Sequence, residues 1–489
     1  MLPSIPNEIY FEIFYQIKFR IPTTWVHPSV KRDLSNMALV CRFFCSVVLP
    51  WLFERLGITG RNDEEQFAHQ NHAKLCRSVI NGDVAARTMA RNVKSCAFSS
   101  WTYEENEQNE WCFREFLSLY SKSIGYMSNL HELSLTSTPI TKDLFKALGN
   151  LSNLNTLHLM QCELAEDIAK KYFRKLSNLQ LKTLRIIHCG IDDESQWPEF
   201  FSHVNLKTIT DLETNSWQFC EVLAEATEPL VLERLTIGFA ANLTILSTIL
   251  SSCPALKRFK MGPNEMLGKR QLALAVNALP HLERLEAPLS ILNAILPGRR
   301  VSTVNITASE GPTPENGLQI LSRSARPITY LALPSEIYER DPHNVWTYCP
   351  HLRTLKIQFN TENCDYDNLI QDDEDIESAL SDVLRDSPVC RSLTSIIFDF
   401  NQSWNILFIR CHLRWLLDIV LPYFPGLTEF QVEPAFKWTY SQLEAEWKPE
   451  VVWQEHGESV LQWVQLFQEE LDNLDHDGFL KRLLVASGG

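Results

Sequence analysis

Leu154-Asn-Thr-Leu157-His-Leu159-Met-Gln-Cys162-Glu-Leu164 and Leu181-Lys-Thr-Leu184-Arg-Ile186-Ile-His-Cys189-Gly-Ile191 are two copies of one apolar phrase, and they decide how this chain folds. Within each copy, alternate residues are apolar through the middle, which is strand patterning. Alternation sends Leu157 and Leu159 to one face and Thr156, His158 and Met160 to the other. Between copies the apolar spacing turns helical, as in Leu144, Leu148 and Leu151 after Thr141. Each unit is therefore a short strand followed by a helical return. One such unit cannot bury its apolar face alone, so successive units must stack.

The phrase recurs from Val93, Leu130, Leu206, Leu232, Leu256, Leu282, Val301, Ile328, Leu352, Leu393 and Leu427. From Leu130 to Leu282 the steps are 24, 27, 25, 26, 24 and 26 residues, inside the 20–29 window of the leucine-rich repeat. Beyond Leu282 they run 19, 27, 24, 41 and 34, a weaker match. The unit at Leu206 departs from the pattern, with Asp211 where an apolar residue belongs. The pattern resembles a leucine-rich-repeat solenoid. That implies an α/β fold with parallel strands on a concave face and helices outside, a surface that binds macromolecules by area.

The chain has 489 residues, 45% of them hydrophobic and 21% charged, with a formal net charge of −15. This is the composition of a globular chain with a large core. The acidic balance argues against nucleic-acid and anionic-membrane partners, both of which need a basic face. The N-terminal residues carry no secretory pattern, and the longest apolar run, near Val47–Phe53, is too short to span a bilayer. The 13 cysteines form no framework, and free buried thiols in a cytoplasmic or nuclear protein are expected. In that setting the patterns Asn242-Leu-Thr244 and Asn305-Ile-Thr307 would stay unglycosylated.

At the N-terminus Ser4, Pro6 and Glu8 suit a helix start, and Ile9, Ile13 and Ile17 form a stripe. A second helical pattern opens near Asp33 and stops at Pro50. Ile5-Pro6-Asn7-Glu8-Ile9, Ile13-Phe14, Leu34 through Val40-Cys41-Arg42-Phe43-Phe44 and Pro50-Trp51-Leu52-Phe53, in that order, resemble an F-box. The segment Lys18–Lys31, with Pro22 and Pro28, is longer than the usual turn between its helices. The resemblance implies docking on the Skp adaptor of a cullin–RING ubiquitin ligase through Pro6, Ile9, Ile13, Val40, Cys41, Phe44, Trp51 and Leu52, with the repeats holding a substrate. The alternatives are a stripe that packs on the first repeat, and an interaction scaffold outside any ligase.

The outward strand positions carry Arg185, Arg234, Arg258, Lys260, Arg284 and Lys356. This row is the candidate substrate site, suited to an acidic or phosphorylated segment. Glu132, Glu233, Glu283 and Glu286 lie in the same units, so a solvated mixed face competes. Cys162 and Cys189 should stack as buried structural thiols. Asp365, Asp367 and Asp372 to Asp375 lack the Gly and terminal Glu of a calcium loop, and are taken as a flexible acidic insertion behind the 41-residue step. No nucleophile elbow, phosphate loop or zinc spacing occurs, so no enzyme, cofactor or metal is expected. The expected domains are an F-box at 1–56, a helical linker at 57–90, the solenoid at 91–435 and a C-terminal helical cap at 436–489. That cap holds Trp438, Trp447, Trp453 and Trp463.

Overall fold

The computed structural model describes residues 28–60, 72–101, 110–165, 168–189, 196–238, 242–262, 272–275, 277–307, 317–359, 373–400, 409–433, 436–443 and 445–451. Contacts divide the chain into two units, Met1–Leu256 and Lys257–Gly489.

In the first unit seven strands follow one another in a parallel sheet: β1 (Arg55–Thr59), β2 (Ser95–Ser99), β3 (Glu132–Thr136), β4 (Thr156–Met160), β5 (Thr183–Ile187), β6 (Asp211–Thr214) and β7 (Arg234–Ile237). They pair in register, so equivalent residues stack: Leu133, Leu157, Leu184, Leu212 and Leu235 form one fully buried row. The chain turns sharply after the strand at the same place in four successive repeats, where Ser100, Ser137, Gln161 and His188 have φ of 57°, 44°, 53° and 53°. The returns contribute an aromatic chain. Phe145 packs edge-on against Phe173 at 5.3 Å and Phe200 at 5.9 Å, and Phe200 edge-on against Trp197 at 5.0 Å, while Phe201 lies tilted against Phe219 at 4.8 Å. All of these rings are buried. Thr141 caps the Lys142–Leu148 helix, accepting from the Leu144 amide, and the helical return expected there is present.

The second unit opens with β8 (Arg258–Met261), β9 (Arg284–Ala287), β10 (Thr303–Ile306), β11 (Tyr330–Pro334), β12 (Thr354–Gln358), β13 (Ser395–Asp399) and β14 (Glu429–Glu433), again parallel. Direction then reverses. β15 (Phe436–Ser441) and β16 (Glu446–Val451) pair antiparallel, β15 on β14 and β16 on β15. Arg299, 5% exposed, ties returns together through carbonyls alone: Nε donates to Ala278 O at 2.9 Å and Nη2 to Ala275 O at 3.0 Å. Both units are stacks of the leucine-rich-repeat type.

The structure corrects several expectations. The sheet begins at Arg55, not near residue 91, because Phe53-x-x-Leu56-x-Ile58 is itself a copy of the phrase, with Leu56 and Ile58 buried. The linker helices Ala73–Ile80 and Val84–Arg91 are present, but they are the return from β1 to β2. The unit placed at Leu206 registers at Ile209, with Leu212 and Thr214 inward and Asp211 outward. Thr214, 1% exposed, takes an apolar slot while its hydroxyl accepts from the Ser216 amide at 3.1 Å. Asp373–Leu384 is a helix rather than part of a flexible insertion, and residues 361–372 lie outside the described set. The cap at 436–489 starts as the β15–β16 hairpin, not as helix. Its remainder, 452–489, also lies outside the described residues.

The single helical pattern expected from Asp33 to Pro50 is two helices, α1 (Pro28–Ala38) and α2 (Arg42–Leu52). Pro28 opens α1, where its missing N–H costs nothing, so 28–31 of the Lys18–Lys31 segment are helix, and the rest of it lies outside the described residues. Cys41 breaks the run with an extended backbone, φ −162° and ψ 169°, and its Sγ accepts from the Phe44 amide at 3.5 Å. Pro50 sits inside α2 rather than ending it.

Candidate functional site

Two sets of residues were expected to carry function, and the structure treats them differently. In the N-terminal set, Pro6, Ile9 and Ile13 lie outside the described residues. The remaining five gather on the α1–α2 pair. Leu34 and Val48 are fully buried, with Met37, Ala38, Phe43, Phe44, Val47, Trp51 and Leu52 partly buried against them. The turn between the helices is open: Leu39 is 84% exposed and Val40 65%, and Cys41 is exposed. Val40 and Cys41 thus stand at the tip, while Phe44, Trp51 and Leu52 share their surface with the pair's own core. Leu39, equally apolar and more open, falls outside the helical stripe of Leu34, Met37, Val40, Cys41 and Phe44, so the sequence pattern assigns it no role.

On the strand faces all six cations point outward, as alternation requires. Their electrostatics differ from the row expected. In the first unit Arg185 Nε lies 3.2 Å from Glu213 on the next strand, and Arg234 Nη2 donates to Asp211 at 2.7 Å. The Asp211 hydrogen bond and charge raise the Arg234 guanidinium further above its ordinary value. His158, one strand from Arg185, is held below the ordinary imidazole range by burial and then by the Arg185 charge, against the pull of Glu132, Glu213 and Asp211. Its Nε2 is buried without a hydrogen-bond partner among the described residues.

In the second unit Lys260 pairs with Glu286 at 2.7 Å and Lys356 with Asp399 at 2.5 Å. Arg258 and Arg284 are the exception. Both are exposed, they are in-register neighbours on β8 and β9, and neither forms an ion pair with a described residue. Burial raises the Tyr330 hydroxyl above its ordinary range against the opposing charges of Lys356 and Arg284. Four of the six cations are therefore compensated, and of the row only Arg258 and Arg284 have no ion-pair partner among the described residues. The interleaved carboxylates do this because strand register, not sequence distance, chooses their partners.

The cysteine expectation is met in geometry. Cys162 and Cys189 are each 2% exposed and stacked, the Cys162 amide donating to Cys189 Sγ at 3.4 Å. Asn305, in the second glycosylation pattern, lies inside β10 with its Oδ1 buried. Asn242, in the first, is exposed and caps a helix through the Thr244 amide at 2.8 Å. Among the described residues no cluster of three or more His, Cys, Asp or Glu side chains is placed to hold a metal ion. Among them also, no helix is long and apolar enough to cross a membrane.

Comparison with solved structures finds the crystal structure of a TLR13–ssRNA13 complex similar to this chain, at 16% sequence identity and a TM-score of 0.35. The match covers 64% of this chain and 43% of that one, so the chain spans less than half the length of the structure it matches. No family model matches the chain, and no curated protein matches it.

Proposed function

We propose that this chain is the substrate-recognition subunit of a Skp–cullin–F-box type ubiquitin ligase, the α1–α2 pair docking the Skp adaptor and the repeats holding a substrate protein. The observation that carries this reading is the open apolar tip at Leu39 and Val40 on a helix pair with two fully buried residues among those described. So small a core is marginal alone, and an exposed apolar tip on it fits a partner's surface. The F-box-like order of motifs around that tip supports an adaptor as the partner. Here the chain performs no chemistry of its own. It raises the local concentration of a substrate lysine near the ligase's active component, in the cytoplasm or nucleus, without a cofactor, a nucleic acid or a membrane.

The test is co-expression of the full chain with a Skp adaptor, read by gel filtration and calorimetry. A stable complex is expected, weakened at least about 30-fold by Val40→Asp, since charging an apolar anchor in an interface costs 2 kcal/mol or more. Absence of any complex, or one indifferent to Val40→Asp, leaves an interaction scaffold outside a ligase as the function.

A further inference from the structure

We infer that Cys162 and Cys189 are an oxidative crosslinking site, at which a hydroperoxide joins two adjacent repeats through a disulfide. This chemistry is independent of any ligase. Strands β4 and β5 pair in register through Met160 and Ile187, and each cysteine lies two residues further on. Gln161 and His188, both at φ 53°, precede them. The two chains therefore turn alike, and both thiols enter the stack at the same level. Neighbouring strands run about 4.8 Å apart, inside the Cα separation of about 4.4–6.8 Å that a disulfide spans. The Cys162 amide donates to Cys189 Sγ at 3.4 Å, so that sulfur lies against the backbone of its partner. Closing the bond asks for side-chain movement, not a change of register.

The two thiols are set to different tasks. Burial pushes up the thiols of Cys76, Cys96, Cys220, Cys253 and Cys349. Cys189 goes the other way: a hydrogen bond from the Cys162 thiol holds it below its ordinary value against burial, with further backbone hydrogen bonds at Cys162, Ile187 and Gln161. Cys162 is held up, first by that same hydrogen bond and then by burial, and keeps its proton. Neighbours driven apart in this way supply a thiolate nucleophile and a proton donor. Both residues are only 2% exposed, but Gln161, Glu163 and His188 beside them are exposed. A small oxidant therefore reaches the pair by the opening of one turn, not of the stack. The Cys189 thiolate attacks the terminal oxygen of the hydroperoxide. The O–O bond breaks, the alcohol leaves with the proton that Cys189 gave up, and Cys189 becomes a sulfenic acid. The Cys162 sulfur then attacks the Cys189 sulfur, the S–O bond breaks, and the hydroxyl leaves as water with the Cys162 proton. Two thiols lose two electrons, and the peroxide is reduced to one alcohol and one water. The bridge pins the turn of one repeat to the next, and in a reducing compartment such a bond is transient and reports oxidant.

The probe is hydrogen peroxide, applied to the full chain with and without prior unfolding in urea. Remaining thiols are then blocked with iodoacetamide and the peptides mapped by mass spectrometry. In the folded chain a peptide linking Cys162 to Cys189 is expected as the main internal disulfide, and dithiothreitol should reverse it. Prior unfolding should erase that preference. Exposed Cys41 is the internal measure that the oxidant has acted. With Cys162→Ala the sulfenic acid on Cys189 loses its partner, and dimedone should trap it there and not on Cys220. Cys189→Ala should lose the link and leave no dimedone on Cys162. The wild-type map decides the matter even where a variant fails to fold. Oxidation of Cys41 without the Cys162–Cys189 peptide, a link that forms as readily in urea, or dimedone on Cys162 in the Cys189→Ala chain overturns the inference.

Discussion

The α1–α2 pair and the repeat stack of the first unit are built on opposite terms. The stack buries two residues of every strand and threads an aromatic chain through its returns. The helix pair fully buries Leu34 and Val48 among the described residues and leaves Leu39 and Val40 open. A stack is stabilised by its neighbours on both sides, whereas the pair has apolar surface to spare. Among the described residues, one region covers its own apolar face, and the other leaves an apolar tip open.

The contrast breaks most sharply at the aromatic chain. Phe200→Ala should cost the first unit about 3–5 kcal/mol, the range for deleting a large buried ring, seen as a lower urea midpoint. A loss below about 1 kcal/mol would mean that the returns are loosely packed after all. In the second unit Arg299→Met should cost about 1–3 kcal/mol, because the carbonyls of Ala275 and Ala278 lose their donors. Stability unchanged by that substitution would show that water replaces the guanidinium freely. Val40→Asp belongs to the other side of the contrast. It should leave the urea midpoint within about 0.5 kcal/mol of wild type, as exposed positions do, while adaptor binding falls. A large drop in stability would place Val40 in a core.

The smallest effect is electrostatic. Burial pushes the Asp143 carboxyl up, but the Ser118 hydroxyl at 2.7 Å, Lys146 at 3.0 Å and Lys122 at 3.4 Å hold it below its usual range. A carboxyl depressed in the folded state stabilises above its unfolded value of about 3.9 and loses that contribution as pH falls through the folded value. Asp143→Asn should therefore be less stable than wild type by under about 1 kcal/mol at pH 7, given solvent screening. The gap should close in strong acid. Equal midpoints at pH 7, or a gap that persists in acid, would remove the carboxylate's role.

The repeats were legible because burial acts on local pattern: Leu157, Leu159, Leu184 and Ile186 are inward wherever the neighbours lie. Misreadings fell where two patterns competed. Phe53-x-x-Leu56-x-Ile58 was absorbed into the F-box-like ending that overlaps it, hiding β1. Leu206-x-x-Ile209 outranked the true Ile209-x-x-Leu212 because Thr214 does not count as apolar, although its hydroxyl is satisfied locally. Phe436, Trp438 and Tyr440 alternate with period two, but the charges and the helical spacing further along the tail drew the reading toward helix. For the candidate site, sequence placed the cations on the outward face. It could not show which would be neutralised, since Arg234 meets Asp211 and Lys356 meets Asp399 only through sheet register.

Two residues, Phe53 and Glu54, separate α2 from β1. The Glu54 carbonyl accepts from the amides of Lys94 and Ser95 at 2.8 and 3.1 Å, its carboxylate holds Lys94 Nζ at 3.0 Å, and its amide donates to Trp51 O at 3.3 Å. The joint is bolted on both sides and has no slack. Mechanically it is a rigid bracket rather than a tether: a load applied to the helices passes straight into the first strand, and lengthening this joint by a few glycines would turn a fixed lever into a swinging one.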